Sequence, residues 1–436
     1  MAAPAAAPAA TADTELDAAK SFLTAHVRAR AGEMLRPPAG VLAYPYIVPA
    51  GFYSQLWCWD AFFGGVGMLP FGGAPFLAGA MMNFFALADA DGRVPGCLTP
   101  TGPSKTLAHA KPVLVLGAYL AAEATGDFAA FEPFAPKMRA VLGFWARERS
   151  RGADGLPCWH DTMESGADDL PYAAVPSAHT PAWVEARDAG VLCQPDLPTF
   201  LFLEHRAFAR FLRKWAAGGG GGAAALEAEA REHDAAAAAL AAKLNAHLWH
   251  WLDEDGGGGR AGAPARRRGL YVGFDTAARA QLRARTYQAA WPVWAGLAPS
   301  AAARDAALDE VLAPDMRAAW GVRSTSSADA RYSLTDMIVP YSNWRGPVWI
   351  NVNVVLAYTL AGAGRRAEAL ALARALTLLL ANDIRATGGM HECYDGDSGA
   401  PLASASLNFL SWNVLVATLH DNLTAGVDPF AGVTGA

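Results

Sequence analysis

The chain has 436 residues, of which 53% are hydrophobic and 17% charged, and its formal net charge is −6. This composition excludes a disordered chain, offers no basic face to neutralise nucleic-acid phosphates, and contains no apolar run of about 18 residues that could span a membrane. The five cysteines, Cys58, Cys97, Cys158, Cys193 and Cys393, are scattered, odd in number and free of any Cys-x-x-Cys pair, which fits reduced thiols in a cytoplasmic protein better than a disulfide framework.

Residues 1–12 read as a disordered Ala/Pro-rich leader, without the basic and apolar regions of a secretory signal. Asp13 or Thr14 can then cap a helix in which Leu16, Ala19, Phe22, Leu23 and Val27 recur at helical spacing. Pro37-Pro38 breaks it, and a loop rich in Tyr and Pro leads into Leu56-Trp57-Cys58-Trp59-Asp60, the start of a second helix. Ten further helices are expected near 75–90, 111–126, 128–151, 196–217, 223–252, 287–297, 300–312, 347–362, 365–386 and 406–422. Pro347 suits the first turn of the helix at 347–362, because its missing N–H costs nothing there. No alternating strand pattern stands out. Twelve helices suggest six helical hairpins closed into a toroid, although periodicity shows only that the chain is all-helical. The domain is expected to run from 13 to 425. A Gly-rich flexible insertion falls near 256–268, and a tail follows at 426–436.

The polar and aromatic residues cluster in long loops, which in a compact domain are usually functional. The segment Trp159–Asp169 holds four carboxylates in nine residues: Asp161, Glu164, Asp168 and Asp169. Such crowding raises the pKa of one carboxyl and makes it a credible acid, though a solvated acidic loop or a cation site would look the same. Glycosidic bond cleavage needs a second carboxyl. Glu392, in Gly388-Gly389-Met390-His391-Glu392-Cys393-Tyr394-Asp395, is the candidate. In Tyr341–Asn353 an arginine stands between two tryptophans, a pattern that can stack a sugar ring and bond its hydroxyls or serve as plain core. There is no His/Cys cluster with metal-ligand spacing. The glycine runs at 218–222 and 256–259 lack the Lys-Ser/Thr of a phosphate loop. No metal and no cofactor are expected.

Five motifs in order carry a resemblance. They are Tyr53-Ser-Gln-Leu-Trp57-Cys-Trp59-Asp60, Glu164-Ser165-Gly166-Ala167-Asp168, Trp344-Arg345-Gly346-Pro347-Val348-Trp349, Glu392-Cys393-Tyr394-Asp395 and Phe409-Leu410-Ser411-Trp412. Over roughly residues 40–420 the chain resembles glycoside hydrolase family 63, related to the trehalases, and most of all its small branch acting on mannosylglycerate and glucosylglycerate. The resemblance implies an all-α (α/α)6 barrel with long functional loops on one face, and an inverting mechanism. It makes Asp168 the general acid and Glu392 the general base. Tyr53, Trp57, Trp59, Asp60, Gly166, Trp344, Arg345, Trp349 and Trp412 become substrate-binding positions. Asp169 or Glu164 would supply an anionic field beside the acid. In an inverting enzyme the two carboxyls stand about 6.5–9.5 Å apart. The expected partner is a small glycoside.

The chain departs from the family pattern at several positions. Asp169-Leu170-Pro171-Tyr172 replaces the segment that usually brings an arginine after the acid, Ala167 and Asn343 replace larger aromatic residues, and Ala110-Lys111-Pro112 replaces the usual Gln-Pro-Pro. A glycerate carboxylate would need a cation, for which Arg187 and Lys111 are candidates. Two alternatives stay open: trehalose or a glucose-capped oligosaccharide as substrate, and a sugar-binding protein without catalysis.

Overall fold

Burial separates the helices into two kinds. The computed structural model describes residues 9–103, 109–151, 154–160, 162–170, 192–218, 222–252, 267–276, 278–282, 284–335, 342–403 and 405–434, with the side chains of 9–13, 162, 163 and 192 left aside. Helices α1 (Ala9–Arg30), α2 (Cys58–Met68), α3 (Ala74–Ala86) and α4 (Leu114–Thr125) open the chain. They are followed by α5 (Ala135–Glu148), α6 (Asp196–Ala217) and α7 (Ala223–Leu248). Next come α8 (Trp291–Trp294, entered through the 3-10 turn Tyr287–Ala290) and α9 (Ala301–Val311). The last are α10 (Ile350–Gly362), α11 (Arg366–Thr387) and α12 (Val416–Ala425, entered through the 3-10 turn Ser411–Leu415). Thr162–Ser165 adds a single turn.

The even-numbered helices are the enclosed set, most completely in α2 and α10 and least in α12, which is buried mainly along its first turn at Val416, Ala417 and Leu419. Every residue of α2 except Asp60 is buried, and α10 is buried from Ile350 to Leu360. The odd-numbered helices keep a side toward solvent. In α7 only Ala230, Ala237, Leu244 and Leu248 are buried, all on one face. A helix hydrophobic on every side has to be enclosed, so the first set forms an inner ring and the second surrounds it. The ring is closed: α2 touches α4, then α6, α8, α10 and α12 follow in turn, and α12 with its entry turn packs back on α2. Outside it, α3 lies on α2 and α4, α5 on α3 and α6, α7 on α6, α9 beside α8, α11 on α10 and α12, and α1 on α11 and α12. This is an (α/α)6 barrel.

Two features tighten the seam where the chain's two ends meet. A Cβ on Gly67 would lie 2.6 Å from Val414 and 2.9 Å from the Leu415 backbone nitrogen, so glycine lets α2 approach the entry of α12. Beyond Gly426, Phe430 is fully buried against Phe62, Trp294 and Tyr358. Such aromatic pairs add about 0.5–1.5 kcal/mol each beyond their area.

Several expectations need correction. Short antiparallel ladders of two or three residues tie the loops together, for example Leu56–Trp57 with Cys97–Leu98. Pro347 does not open a helix: Val348–Trp349 is extended and pairs with Cys393–Tyr394, and α10 begins at Ile350. A β-branched and aromatic pair with a strand partner prefers the ladder to a first helical turn. The helix expected to 252 ends at Leu248, because Trp249–Trp251 pairs with Gly269–Tyr271. Cys158 and Cys193 are disulfide-bonded, whereas Cys58, Cys97 and Cys393 are buried thiols. Residues 1–8 of the expected leader and most of the glycine-rich insertion lie outside the described residues, whereas residues 9–12 belong to α1 and are not a disordered stretch. At the far end of the insertion Arg268 forks onto Glu310. No helix among the described residues is long and apolar enough to cross a membrane.

Candidate active site

The candidate residues stand on the loops that enter the inner helices. Asp60 lies in the first turn of α2. Burial pushes its carboxyl up to about 6, against the pull of a hydrogen bond from Ser411 Oγ (2.9 Å) and the nearby Lys111 charge. Trp57 is half-buried and caps α2 from the ladder. Trp59 is 9% exposed and packs edge-on against Phe63, Phe200 and Trp291. Tyr53 links the acidic residues. Burial first, then the charges of Glu392 and Asp60, push its hydroxyl up to about 12, while a bond with Ser406 opposes them. One phenol therefore feels carboxyls from the start of α2 and from the loop after α11.

Asp168 is held from the side of the Trp-Arg-Gly segment. The Ser342 backbone N–H (3.1 Å) and hydroxyl (2.8 Å) both donate to Asp168 Oδ2. The next carboxyl, Asp169, is buried and accepts the Trp344 backbone N–H. Glu164 is fully buried but is not a source of anionic field. Arg149 Nε and Nη2 fork onto it at 2.9 and 2.7 Å, and the His160 N–H adds a third bond at 2.8 Å. Its charge is balanced, so the expected field beside Asp168 narrows to Asp169. Gly166 has φ +74°, and a Cβ there would lie 2.2 Å from Lys111 Cε, so the lysine stem runs across the acidic loop. Lys111, a weak candidate from sequence, thus belongs to this loop cluster. Arg187 and Asp161 lie outside the described residues.

Glu392 is half-buried between buried His391 and Cys393. Its loop is anchored by Asp383, near the end of α11. That carboxylate accepts the His391 N–H (3.0 Å), His391 Nδ1 (2.8 Å), the Tyr394 hydroxyl (2.7 Å) and the Thr387 hydroxyl (3.1 Å). Burial and Asp383 together push the Tyr394 hydroxyl far up. Asn413 Nδ2 closes the foot of the loop on the His391 carbonyl at 2.8 Å.

The three remaining tryptophans join the two loops. Trp344 and Trp349 are stacked with centroids 4.0 Å apart and planes 2° apart, and Trp349 meets Trp412 at 5.7 Å. Trp344 Nε1 donates to Ser342 Oγ (2.9 Å), and Trp412 Nε1 donates to the Glu392 carbonyl (3.4 Å). Trp344, Trp349 and Trp412 are only 2%, 1% and 3% exposed. So little exposure leaves no open ring face for a sugar, and the three rings brace the two loops against each other. Arg345 donates from Nε to the Arg331 carbonyl (2.8 Å), and its charge adds a minor pull to the hydrogen bonds and charge of Arg331, which lower the Asp329 carboxyl against its burial. Those contacts turn toward the Asp329–Arg331 segment. Ser342, Asp383 and Ser406 were not singled out by sequence. Ser411 stood inside the last motif without a role. Among the described residues no group of three His, Cys, Asp or Glu side chains is placed to hold a metal.

A closed ring of six helical hairpins, with acidic loops braced by tryptophan, is an architecture that glycoside hydrolases use. The family model of the mannosylglycerate hydrolase MGH1-like glycoside hydrolase domain matches residues 53–410, and the chain belongs to that family. No curated relative matches the sequence. Among solved structures, the family 63 mannosylglycerate hydrolase of Thermus thermophilus in complex with Tris is similar at TM-score 0.64 and 19% identity, over 90% of this chain and 99% of that one. The same enzyme in complex with glucose gives 0.61 and 19%, over 88% and 96%. The neutral trehalase of Saccharomyces cerevisiae gives 0.61 and 16%, over 88% and 76%.

Proposed function

We propose that the protein is an inverting α-glycosidase that hydrolyses a small glycoside, glucosylglycerate or mannosylglycerate, to free hexose and glycerate. Asp168 is the general acid and Glu392 the general base. The observation that carries this reading is the brace between their loops. Ser342 and Trp344 hold the Asp168–Asp169 pair, Trp412 holds the Glu392 backbone, and the stacked Trp349 joins the two. Two carboxyls that must flank one bond and one water need such a frame, since misplacement by about 1 Å can cost 100-fold in rate.

In this mechanism the Asp168 carboxyl gives its proton to the glycosidic oxygen as the bond from that oxygen to the anomeric carbon breaks. Ser342 engages Oδ2 and sets the direction of the carboxyl. Glu392 takes a proton from water, whose oxygen attacks the anomeric carbon from the opposite face, so the hexose leaves with inverted configuration. Asp60, ionised, accepts sugar hydroxyls, and Trp59 and Tyr53 supply the wall. The mannosylglycerate hydrolase and trehalase likenesses support small α-glycosides as the class; mannosylglycerate, glucosylglycerate and trehalose form the first substrate panel. The disulfide withdraws the thiol argument for the cytoplasm, and no compartment is proposed in its place.

The test follows free hexose, with proton NMR of the first anomer released. The β-hexose should appear first. Asp168→Asn and Glu392→Gln should each lower kcat by at least about 1,000-fold, as expected when general acid–base catalysis and its electrostatics are removed together. Near-normal turnover in either variant, or retention of the α-anomer, removes the assignment. Tight binding of an intact glycoside that persists for hours would favour the non-catalytic alternative.

A further inference from the structure

Two donors from one residue meet the same oxygen of Asp168. The Ser342 N–H (3.1 Å) and the Ser342 hydroxyl (2.8 Å) both donate to Oδ2. The hydroxyl is not free to turn elsewhere. Trp344 Nε1 can only donate, and it fills one lone pair of Ser342 Oγ from 2.9 Å. The serine proton is thereby left for the carboxyl. The indole is itself packed in place: Trp344 is 2% exposed, its ring stacks on Trp349 at 4.0 Å, and its backbone N–H is held by Asp169. The donors therefore run in one direction, from the Trp344 ring through Ser342 to Asp168 Oδ2.

That direction decides where the acid carries its proton. A carboxyl oxygen that bears hydrogen has little acceptor capacity left, and Oδ2 already accepts an N–H and an O–H. We propose that Ser342 is a positioning residue which, with Trp344 behind it, confines the transferable proton of Asp168 to Oδ1, so that this indole serves the acid and not the sugar. The inference rests on the hydrolytic reading, in which Asp168 is the acid. As Oδ1 gives its proton to the glycosidic oxygen and the bond from that oxygen to the anomeric carbon breaks, a negative charge is left on the carboxylate. Two donors already stand at Oδ2 to meet it, with no reorganisation at the moment of reaction. Donors on a carboxylate also favour its ionised form. Ser342 therefore helps to set the pH above which the acid is lost, alongside Asp169, the Arg149-balanced Glu164 and Lys111 across Gly166.

The experiment takes whichever of mannosylglycerate, glucosylglycerate and trehalose the wild type cleaves fastest, together with the α-fluoride of the same hexose. Fluoride departs with little help from an acid, so the pair separates damage to the acid from damage to the pocket. In Ser342→Ala, kcat on the glycoside should fall by about 10- to 100-fold, while turnover of the fluoride changes by less than about threefold. The alkaline limb of kcat/KM on the glycoside should move upward by about 0.7 unit, because the acid keeps its proton to higher pH once a donor is gone. Ser342→Thr should restore most of both. Trp344→Phe should shift both in the same direction, and the double variant Ser342→Ala/Trp344→Phe should be no worse than Ser342→Ala alone, as expected for groups acting in series. An equal loss on both substrates in a folded variant, an alkaline limb that stays in place, or losses that multiply in the double variant overturns the proposal. A wild type that cleaves neither substrate, or an Asp168→Asn variant with near-normal turnover of the glycoside, is instead the failure of the hydrolytic reading and takes this inference with it.

Discussion

Asp60 and Ser411 show how one hydroxyl can tune a site. The Asp60 carboxyl is desolvated and raised to about 6, so it ionises only when the pH exceeds that value. An ionised Asp60 is the better acceptor for sugar hydroxyls, and kcat/KM should therefore fall as pH drops through about 6. Ser411 donates to Oδ1 and favours the ionised form. Ser411→Ala should raise the Asp60 pKa and move the acidic limb of the pH profile upward by about 0.7 unit, the equivalent of a hydrogen bond of about 1 kcal/mol. A limb that stays in place would mean that another group sets it. At this scale Asp168, Glu392 and Asp60 were visible as candidates, because each sits in a recognisable motif. Ser342 and Asp383 were not. Their roles depend on partners 174 and 8 residues away whose approach only the fold determines. The balance of Glu164 by Arg149 was hidden for the same reason, and the buried tryptophans read as sugar platforms because sequence does not reveal which face of a ring is covered.

Helices were the most legible elements. Their apolar spacing and their Pro or Gly punctuation placed them, as at Gly126 and Gly388, which take left-handed conformations at helix ends. The ladders escaped notice because two residues show no alternation, and their stability comes from a partner loop far away in sequence. One contact between inner helices has a measurable consequence. Glu204 on α6 accepts the Val115 N–H (3.2 Å) and Leu116 N–H (2.7 Å) at the start of α4, satisfying two donors that a helix leaves open. Burial nonetheless raises its carboxyl from 4.5 to about 8, the two N–H groups opposing the shift. An acid that binds its proton more tightly folded than unfolded stabilises fully below its unfolded value near 4.5, and this contribution is lost as pH rises through about 8. The difference in Tm between wild type and Glu204→Gln should therefore change steadily between those limits, with the wild type losing ground as pH rises. A constant difference would mean that Glu204 ionises normally in the folded chain.

For the whole molecule, closure was the step that periodicity could not supply. A pattern of buried and half-buried helices is compatible with several bundles, and only the return of α12 onto α2 across Gly67 makes it a ring. The disulfide belongs to this scale as well. Cys158 and Cys193 are 35 residues apart with no motif between them to suggest pairing, and both are buried. Spacing and an odd count argued for thiols, but the fold sets the start of the Asp168 loop against the strand that precedes α6. The bond therefore closes the segment that carries Asp168, the proposed acid. On chain-entropy grounds, closing such a loop stabilises by about 4 kcal/mol. Peptide mass spectrometry without reduction should recover Cys158 and Cys193 in one linked species. The double variant Cys158→Ser/Cys193→Ser should lower Tm by several degrees and reduce kcat more than KM, because the freed loop holds Asp168 less firmly, whereas the substrate contacts proposed for Asp60 and Trp59 lie on other elements. Two separate thiol peptides from freshly isolated protein, or a double variant with unchanged Tm and kcat, would show that the acidic loop is held by Ser342, Trp344 and Arg149 alone.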